Sequence, residues 1–355
     1  MPRLIAALIL LALGIAGLWL GAETLLARQI RDLSAAGAGF HAGGTAPLRR
    51  TDRIGVALTD VAVKTPLGVI AAPQAQLFLR PMSPTTLLLD LPPQISLDQG
   101  NGPQPLTLSD PRIQVRLRLM SRLAPDRLHV SSGAMTLAGL PLARSLTLDA
   151  VMVPLGGDAP HGSGSAYEMA LDLTGIEPAP LPPLAQAMAA LGIAGQGAAS
   201  AQARLWLDRA ATPAAIATAQ PRLTGLRIDH GQLSLGGLNT RIAAYLRPDA
   251  AGLAQGALAV YTSDADRMLD AAAVAGWIPE GVVKLTGTML RGLSGMPLPG
   301  EAEAADPGQP HPMTWPKIQA GEVRLPILFS QGRTSLGPLR IGPAPVLAPV
   351  LAPPR

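Results

Sequence analysis

The chain has 355 residues, is 48% hydrophobic and 3% aromatic, contains no cysteine and carries a formal charge of +4. That apolar fraction excludes a disordered chain, and the missing cysteine excludes disulfides, thiolate metal sites and cysteine catalysis. A sequence pI near 9.9 raises nucleic acid as a partner. However, the arginines are scattered, with Arg49, Arg50 and Arg53 the densest group, and so few aromatics leave no base-stacking platform. No nucleic-acid partner is expected.

The first stretch, Leu4 to Ala22 (LIAALILLALGIAGLWLGA), carries no charge between Arg3 and Glu23. Crossing a bilayer takes about 20 apolar helical residues, and Leu4, Leu8, Leu11, Ile15, Leu18 and Trp19 are the expected anchor residues. A cleaved signal peptide has a shorter apolar core and a small residue at −3 of the cut. Cutting after Ala22 would put bulky Leu20 there. The expectation is a retained single-span anchor in a bacterial inner membrane, with the body in the periplasm. Thr24 to Leu33 continues with apolar residues at helical spacing, so residues 1–33 form anchor and stem.

Beyond the stem the period shifts from 3.6 to 2. Ile54, Val56 and Leu58 alternate, as do Leu77 and Leu79, and Leu87 to Leu91 forms a short apolar run. In RIQVRLRLM, Ile113, Val115, Leu117 and Leu119 take one face and Arg112, Gln114, Arg116 and Arg118 the other. One dry and one wet face is the signature of an antiparallel sheet. Leu146 to Met152, Tyr167 to Leu173, and Leu205 with Leu207 continue the alternation, separated by turn-rich segments at Asp98 to Pro105 and Gly156 to Ser165. Two short helices are predicted: Pro182 to Ile193, with prolines at its start, and Ser263 to Trp277, with Ser263 and Asp264 as capping residues. Gly295 to Pro316 has neither period and is expected to be a long exposed loop. The fold class is therefore mainly β: an antiparallel, curved-sheet or sandwich-like body with a few short helices. Its halves run over 45–180 and 181–345, followed by a Pro-rich tail over 346–355.

Two stretches echo one another, LHVSSGAMTLAGL from Leu128 and LRIDHGQLSLGGL from Leu226, with a partial third copy from Ile318. Each is expected to be a hairpin whose central glycine, Gly133, Gly231 or Gly321, supplies the turn. A duplicated β-module and a chance product of a Leu- and Gly-rich meander both remain open. The apolar N-terminus, the cysteine-free β-rich body, these L-x-[I/V]-x-x-G-x-[L/M]-x-L hairpins and the tail from Leu336 to Pro345 (LGPLRIGPAP) together resemble the alphaproteobacterial DUF2125 family. More distantly they resemble the AsmA-like envelope proteins. The resemblance implies an inner-membrane protein facing the periplasm, with a long curved sheet whose apolar interior accommodates lipid. It supplies no catalytic residues to carry over.

No chemistry-bearing constellation stands out. His41, His129, His161, His230 and His311 lie far apart with no metal-ligand spacing. Ser163 in HGSGS mimics part of a nucleophile elbow but lacks the strand before and the helix after. The acid pairs Glu301/Glu303 and Asp264/Asp266 fit solvated charge and a helix start better than a glycosidase site. The sequence points to a non-enzymatic envelope protein with no cofactor and no metal, one that binds or guides lipid in an apolar groove. The alternative is a structural module that docks other envelope proteins through sheet edges. A hydrolase would need distant residues to converge.

Overall fold

A computed structural model gives the architecture. It describes residues 39–65, 68–118, 121, 123–190, 194–212, 215, 221–274, 292–301 and 313–347, preceded by 23–24, 26–28, 30–32 and 34–35. The anchor residues Leu4, Leu8, Leu11, Ile15, Leu18 and Trp19 lie outside the described residues. Among the described residues, no helix is long and apolar enough to cross a membrane. The chain is mainly β, its strands pairing antiparallel among the described residues, with few short helices. It divides into two compact units. The first is residues 1–128, joined by 211–220 and 351–355; the second is 129–210 and 221–350. The strands on either side of residue 180 pair with one another within the second unit.

In the first unit, β1 (Phe40–Pro47), β2 (Ile54–Thr65) and β3 (Gly68–Arg80) form an antiparallel meander. β3 is long enough to serve two partners. Its first residues pair with β5 (Gln94–Asp98) and its last with β4 (Ser83–Asp90). Pro73, which has no N–H to give a ladder, falls in the gap between those pairings. β6 (Pro103–Leu108) continues from β5, and β7 (Arg112–Arg118) from β4. The alternation read for β7 is present. After the apolar run, residues 23–24, 26–28, 30–32 and 34–35 are helical. Ala27 and Ile30 are buried against Val56, Leu58, Val61 and Ala75.

The second unit is a continuous antiparallel ladder. Its strands are β11 (Ser145–Val153), β12 (Ser165–Ile176), β13 (Gly197–Leu207), β14 (Leu223–Leu235), β15 (Leu238–Pro248), β16 (Ala254–Thr262) and β17 (Val323–Ser330), closing with β18 (Arg333–Leu336) and β19 (Leu339–Pro343). Helix α1 (Pro182–Ala190) starts at the predicted prolines, and α2 (Ala265–Val274) starts just after Asp264, whose carbonyl accepts the Met268 N–H at 3.0 Å. Ala265 and Leu269 of α2 pack with Val260, Leu325 and Leu336.

The first two echoed stretches form hairpins with their turns elsewhere than expected, whereas the third, from Ile318, has no strand before Gly321. Between β9 (Met135–Leu137) and β10 (Leu140–Ala143) the turn is Ala138-Gly139, at φ 52 and 82. Between β14 and β15 it is Gly236-Gly237, at φ 52 and 91. Positive φ at both central residues is the two-residue turn that matches strand twist. Gln331-Gly332 makes a third, between β17 and β18. The central glycines do something else. Gly133 lies in a bend between β8 (Ala124–Ser132) and β9. Gly231 lies in mid-strand, where β14 carries one extra residue against both neighbours. A Cβ on Gly231 would lie 3.0 Å from the Ile242 side chain, so a larger residue there would press on Ile242 at the bulge. Only Gly321, at φ 82 ahead of β17, is a turn glycine.

Candidate functional site

The two faces of the second unit's sheet have opposite chemistry, set by the strand period of two. Residues directly opposite across an antiparallel pair share a face. One face carries the rows Leu146–Leu173–Ala199–Leu233, Leu148–Leu171–Ala201, Ala150–Met169–Ala203–Ile228 and Met152–Tyr167–Leu205–Leu226. It is apolar throughout, and β13 contributes only alanines to three of its rows. Leu148, Met152, Met169, Leu171, Leu205, Leu226 and Ile228 are all half-buried.

The opposite face is polar. One row crosses six pairings, Thr147–Asp172–Ser200–Gln232–Arg241–Tyr261–Arg324. Two rows further along the same face lies Glu168–Arg204–Arg227–Tyr245. It places two guanidiniums directly opposite, an arrangement that repels. Asp158, from the β11–β12 loop, resolves this by accepting from Arg204 at 3.0 Å and Arg227 at 2.5 Å, while Glu168 also takes Arg204 and Asp229 takes Arg227. Asp229 is at the bulge beside Gly231. The hydrogen bond from Arg204 to Glu168 holds the guanidinium pKa above its ordinary value.

Beneath these ion pairs lies the aromatic core: Trp206, Tyr245, Tyr261 and Trp315 with Ala243, Ala257, Ala259, Leu298 and Met313. Arg227 stands 5.6 Å over Trp206, Arg241 5.0 Å over Tyr261 and Arg247 5.9 Å over Tyr245, the geometry of cation–π contact. Trp206 meets Tyr245 edge-on, with ring centroids 6.3 Å apart. Burial pushes the Tyr261 hydroxyl pKa up, partly opposed by neighbouring Arg324. A Cβ at Gly225 would meet Pro160 at 2.6 Å and the Trp206 ring at 3.2 Å, so glycine there lets the loop and the indole close on β14.

The segment 295–316, expected as an exposed loop, is a loop whose described ends are buried. Leu298, Met313 and Trp315 enter the core, and the Trp315 indole N–H donates to the Pro299 carbonyl at 3.0 Å. Glu301 accepts from Arg324 at 2.5 Å, and Arg324 also donates to the Met296 carbonyl at 2.7 Å. Glu303 lies outside the described residues. Buried tryptophan and an ion pair in a Pro/Gly/acid-rich stretch leave no periodic signal, and Trp315 was the one cue. Along the first of these polar rows runs a trough of about 540 Å³ lined by Asp172, Ser200, Gln232, Ser234, Asn239 and Arg241.

Of the other sequence candidates, Ser163 spends its hydroxyl on the Pro160 carbonyl at 2.7 Å and the Thr224 hydroxyl at 2.8 Å. His129 Nδ1 lies 2.8 Å from Asp149, a pair that sequence spacing could not foresee. Asp264 sits at the start of α2 as read. Among the described residues, no group of three or more His, Asp or Glu side chains is placed to hold a metal ion. Among the described residues the most deeply buried carboxylate is Glu23, which follows the apolar run 4–22 and accepts the backbone N–H groups of Arg49 and Gly55, each at 3.2 Å.

Comparison with curated proteins and with solved structures returned no match. Residues 47–345 match the family described as "Uncharacterized protein conserved in bacteria (DUF2125)". That match takes in every strand from β2 to β19, and the chain belongs to the DUF2125 family.

Proposed function

We propose that the chain is a non-enzymatic cell-envelope protein, held in the bacterial inner membrane by residues 4–22, whose periplasmic body takes lipid acyl chains on the apolar face of the second unit. One observation carries the reading: four apolar rows cross β11–β14 with their leucine, isoleucine and methionine side chains half-buried. A sheet face of this kind gains about 25 cal/mol for each Å² of apolar surface it removes from water. Methionines at 152 and 169 add side chains that adapt to an irregular apolar guest. The small residues Ala199, Ala201 and Ala203 leave room between the larger side chains of β12 and β14.

The test is native mass spectrometry of the full chain, solubilised from membranes, with organic extraction of what travels with it. The wild type is compared with Leu171→Asp, which puts a charge in the middle of the apolar rows and leaves residues 4–22 untouched. Stoichiometric phospholipid on the wild type that is lost from Leu171→Asp supports the reading. Equal lipid on both assigns it to the N-terminal segment alone. A lipid-free protein holding a defined partner favours the interaction module instead.

A further inference from the structure

We infer that one end of the first unit is a docking surface for an anionic bilayer, formed by the β1–β2 connection and the β3–β4 turn. The inference rests on the reading that residues 4–22 enter the membrane, and goes beyond it by naming what the folded body does there.

The geometry starts from Glu23, the first charged residue after the apolar run. Its buried carboxylate accepts from Arg49 and Gly55, which fixes the end of that run against the start of β2. Ile54 and Gly55 in turn pair with Leu79 and Phe78 at the end of β3. Arg53 lies 4.5 Å over the Phe78 ring. The next residues of β3 lead directly into the Pro81-Met82 turn, closed by the pairing of Arg80 with Ser83. So the residue that follows the apolar run, the arginine-rich connection and the β3–β4 turn share one end of the sheet.

The chemistry of that end is specific. Met82 is 95% exposed, the most exposed large apolar side chain among the described residues. Arg49, Arg50 and Arg80 are exposed, and among the described residues no carboxylate pairs with any of them. Arg53, by contrast, is engaged with Asp52 and Asp90. A protruding thioether flanked by guanidiniums that make no ion-pair contact, Arg50 feeling only the more distant charge of Asp52, is an arrangement that inserts shallowly while cations meet lipid phosphates. The other end of the meander has the Thr65-to-Gly68 turn and the Asp98-to-Gly102 loop, where Asp98 spends its carboxylate on the N–H groups of Gly100 and Gly102. It offers no comparable arginine group.

The chain has no cysteine, so a single introduced thiol can be labelled cleanly. The full chain is reconstituted into vesicles of phosphatidylethanolamine with phosphatidylglycerol, or of phosphatidylcholine alone. An environment-sensitive fluorophore is placed at Met82→Cys or, at the other end, at Asn101→Cys. The expected result is blue-shifted emission at 82 on the anionic vesicles, weaker on phosphatidylcholine, and water-like emission at 101 on both. Each arginine near an anionic surface contributes about fivefold to the bound population. Arg50→Gln should therefore lower the shifted fraction by about that factor, and the Arg49→Gln, Arg50→Gln, Arg80→Gln triple variant should abolish it. If the protein resists carbonate extraction yet position 82 is as water-exposed as 101, the docking surface is overturned and the anchor stands. If carbonate strips the protein from the vesicles, the anchor reading falls and this inference falls with it.

Discussion

The two units build antiparallel sheets from different materials. The first buries Val56, Leu58, Val61, Ala75, Ala27 and Ile30, adds the deeply buried ring of Phe78, and spends its buried charge on backbone N–H groups through Glu23. The second gathers Trp206, Trp315, Tyr245 and Tyr261 into one cluster and lays arginines across the rings. In a chain with so few aromatics, their position is informative. Flat rings give guanidiniums a surface to stack on while carboxylates satisfy their edges, which is how the second sheet carries a charged face above a dry core. Among the described residues the first unit has one such stack, Arg53 over Phe78, at the end where Glu23 is held.

The sharpest way to break this contrast is Trp206→Ala. Removing a fully buried indole costs about 3–5 kcal/mol, and here it also removes the ring beneath Arg227 and the edge contact with Tyr245. Hydrogen exchange is expected to accelerate across β12–β16 while β2 and β3 keep their protection. Equal acceleration in β2 and β3 would mean that the two units unfold as a single cooperative block. Next in size is Glu23→Ala, which strands the Arg49 and Gly55 N–H groups; leaving a buried donor unpaired costs about 1–3 kcal/mol. That loss is expected in β1–β3 alone, with Glu23→Gln recovering part of it through its remaining carbonyl. The same bonds mean that a truncation removing the stem would take Ala27 and Ile30 out of the core as well.

Much of this was legible in the sequence because strands with one wet face write their period directly. RIQVRLR, SLTLDAVMV and AYEMALDLT are β7, β11 and part of β12, each close to its predicted bounds. Helix starts were legible where chemistry marks them, at Pro182 and Asp264. The errors share a cause. Gly133 and Gly231 looked like turns because glycine permits positive φ, yet at 231 it is the missing Cβ, against Ile242, that matters. Asp158, Glu301 and Arg324 were opaque because their partners are distant in sequence and meet only through strand pairing. In the sequence Glu23 marks only the limit of an apolar run, and nothing local says that its carboxylate is swallowed by the loop before β2.

The mildest test concerns acid. Arg241 donates two hydrogen bonds to Glu322, and this contact holds the carboxyl below its ordinary value of 4.5, against the opposing effect of burial and with help from the Gln319 N–H. A carboxyl depressed in the folded state contributes stability that is fully present above its unfolded value and is lost as pH falls through its folded one. Arg241 stays charged over the whole range, so the titrating partner is Glu322 alone. For a pair that is still partly exposed the contribution is under about 1 kcal/mol. Wild type and Glu322→Gln are therefore expected to differ modestly in unfolding midpoint at neutral pH and to converge as pH drops below 4.5. The convergence should appear in probes of β15–β17 and not in probes of β2–β3. A constant offset across pH would mean that the bidentate geometry, rather than the charge, is what Glu322 gives the second sheet.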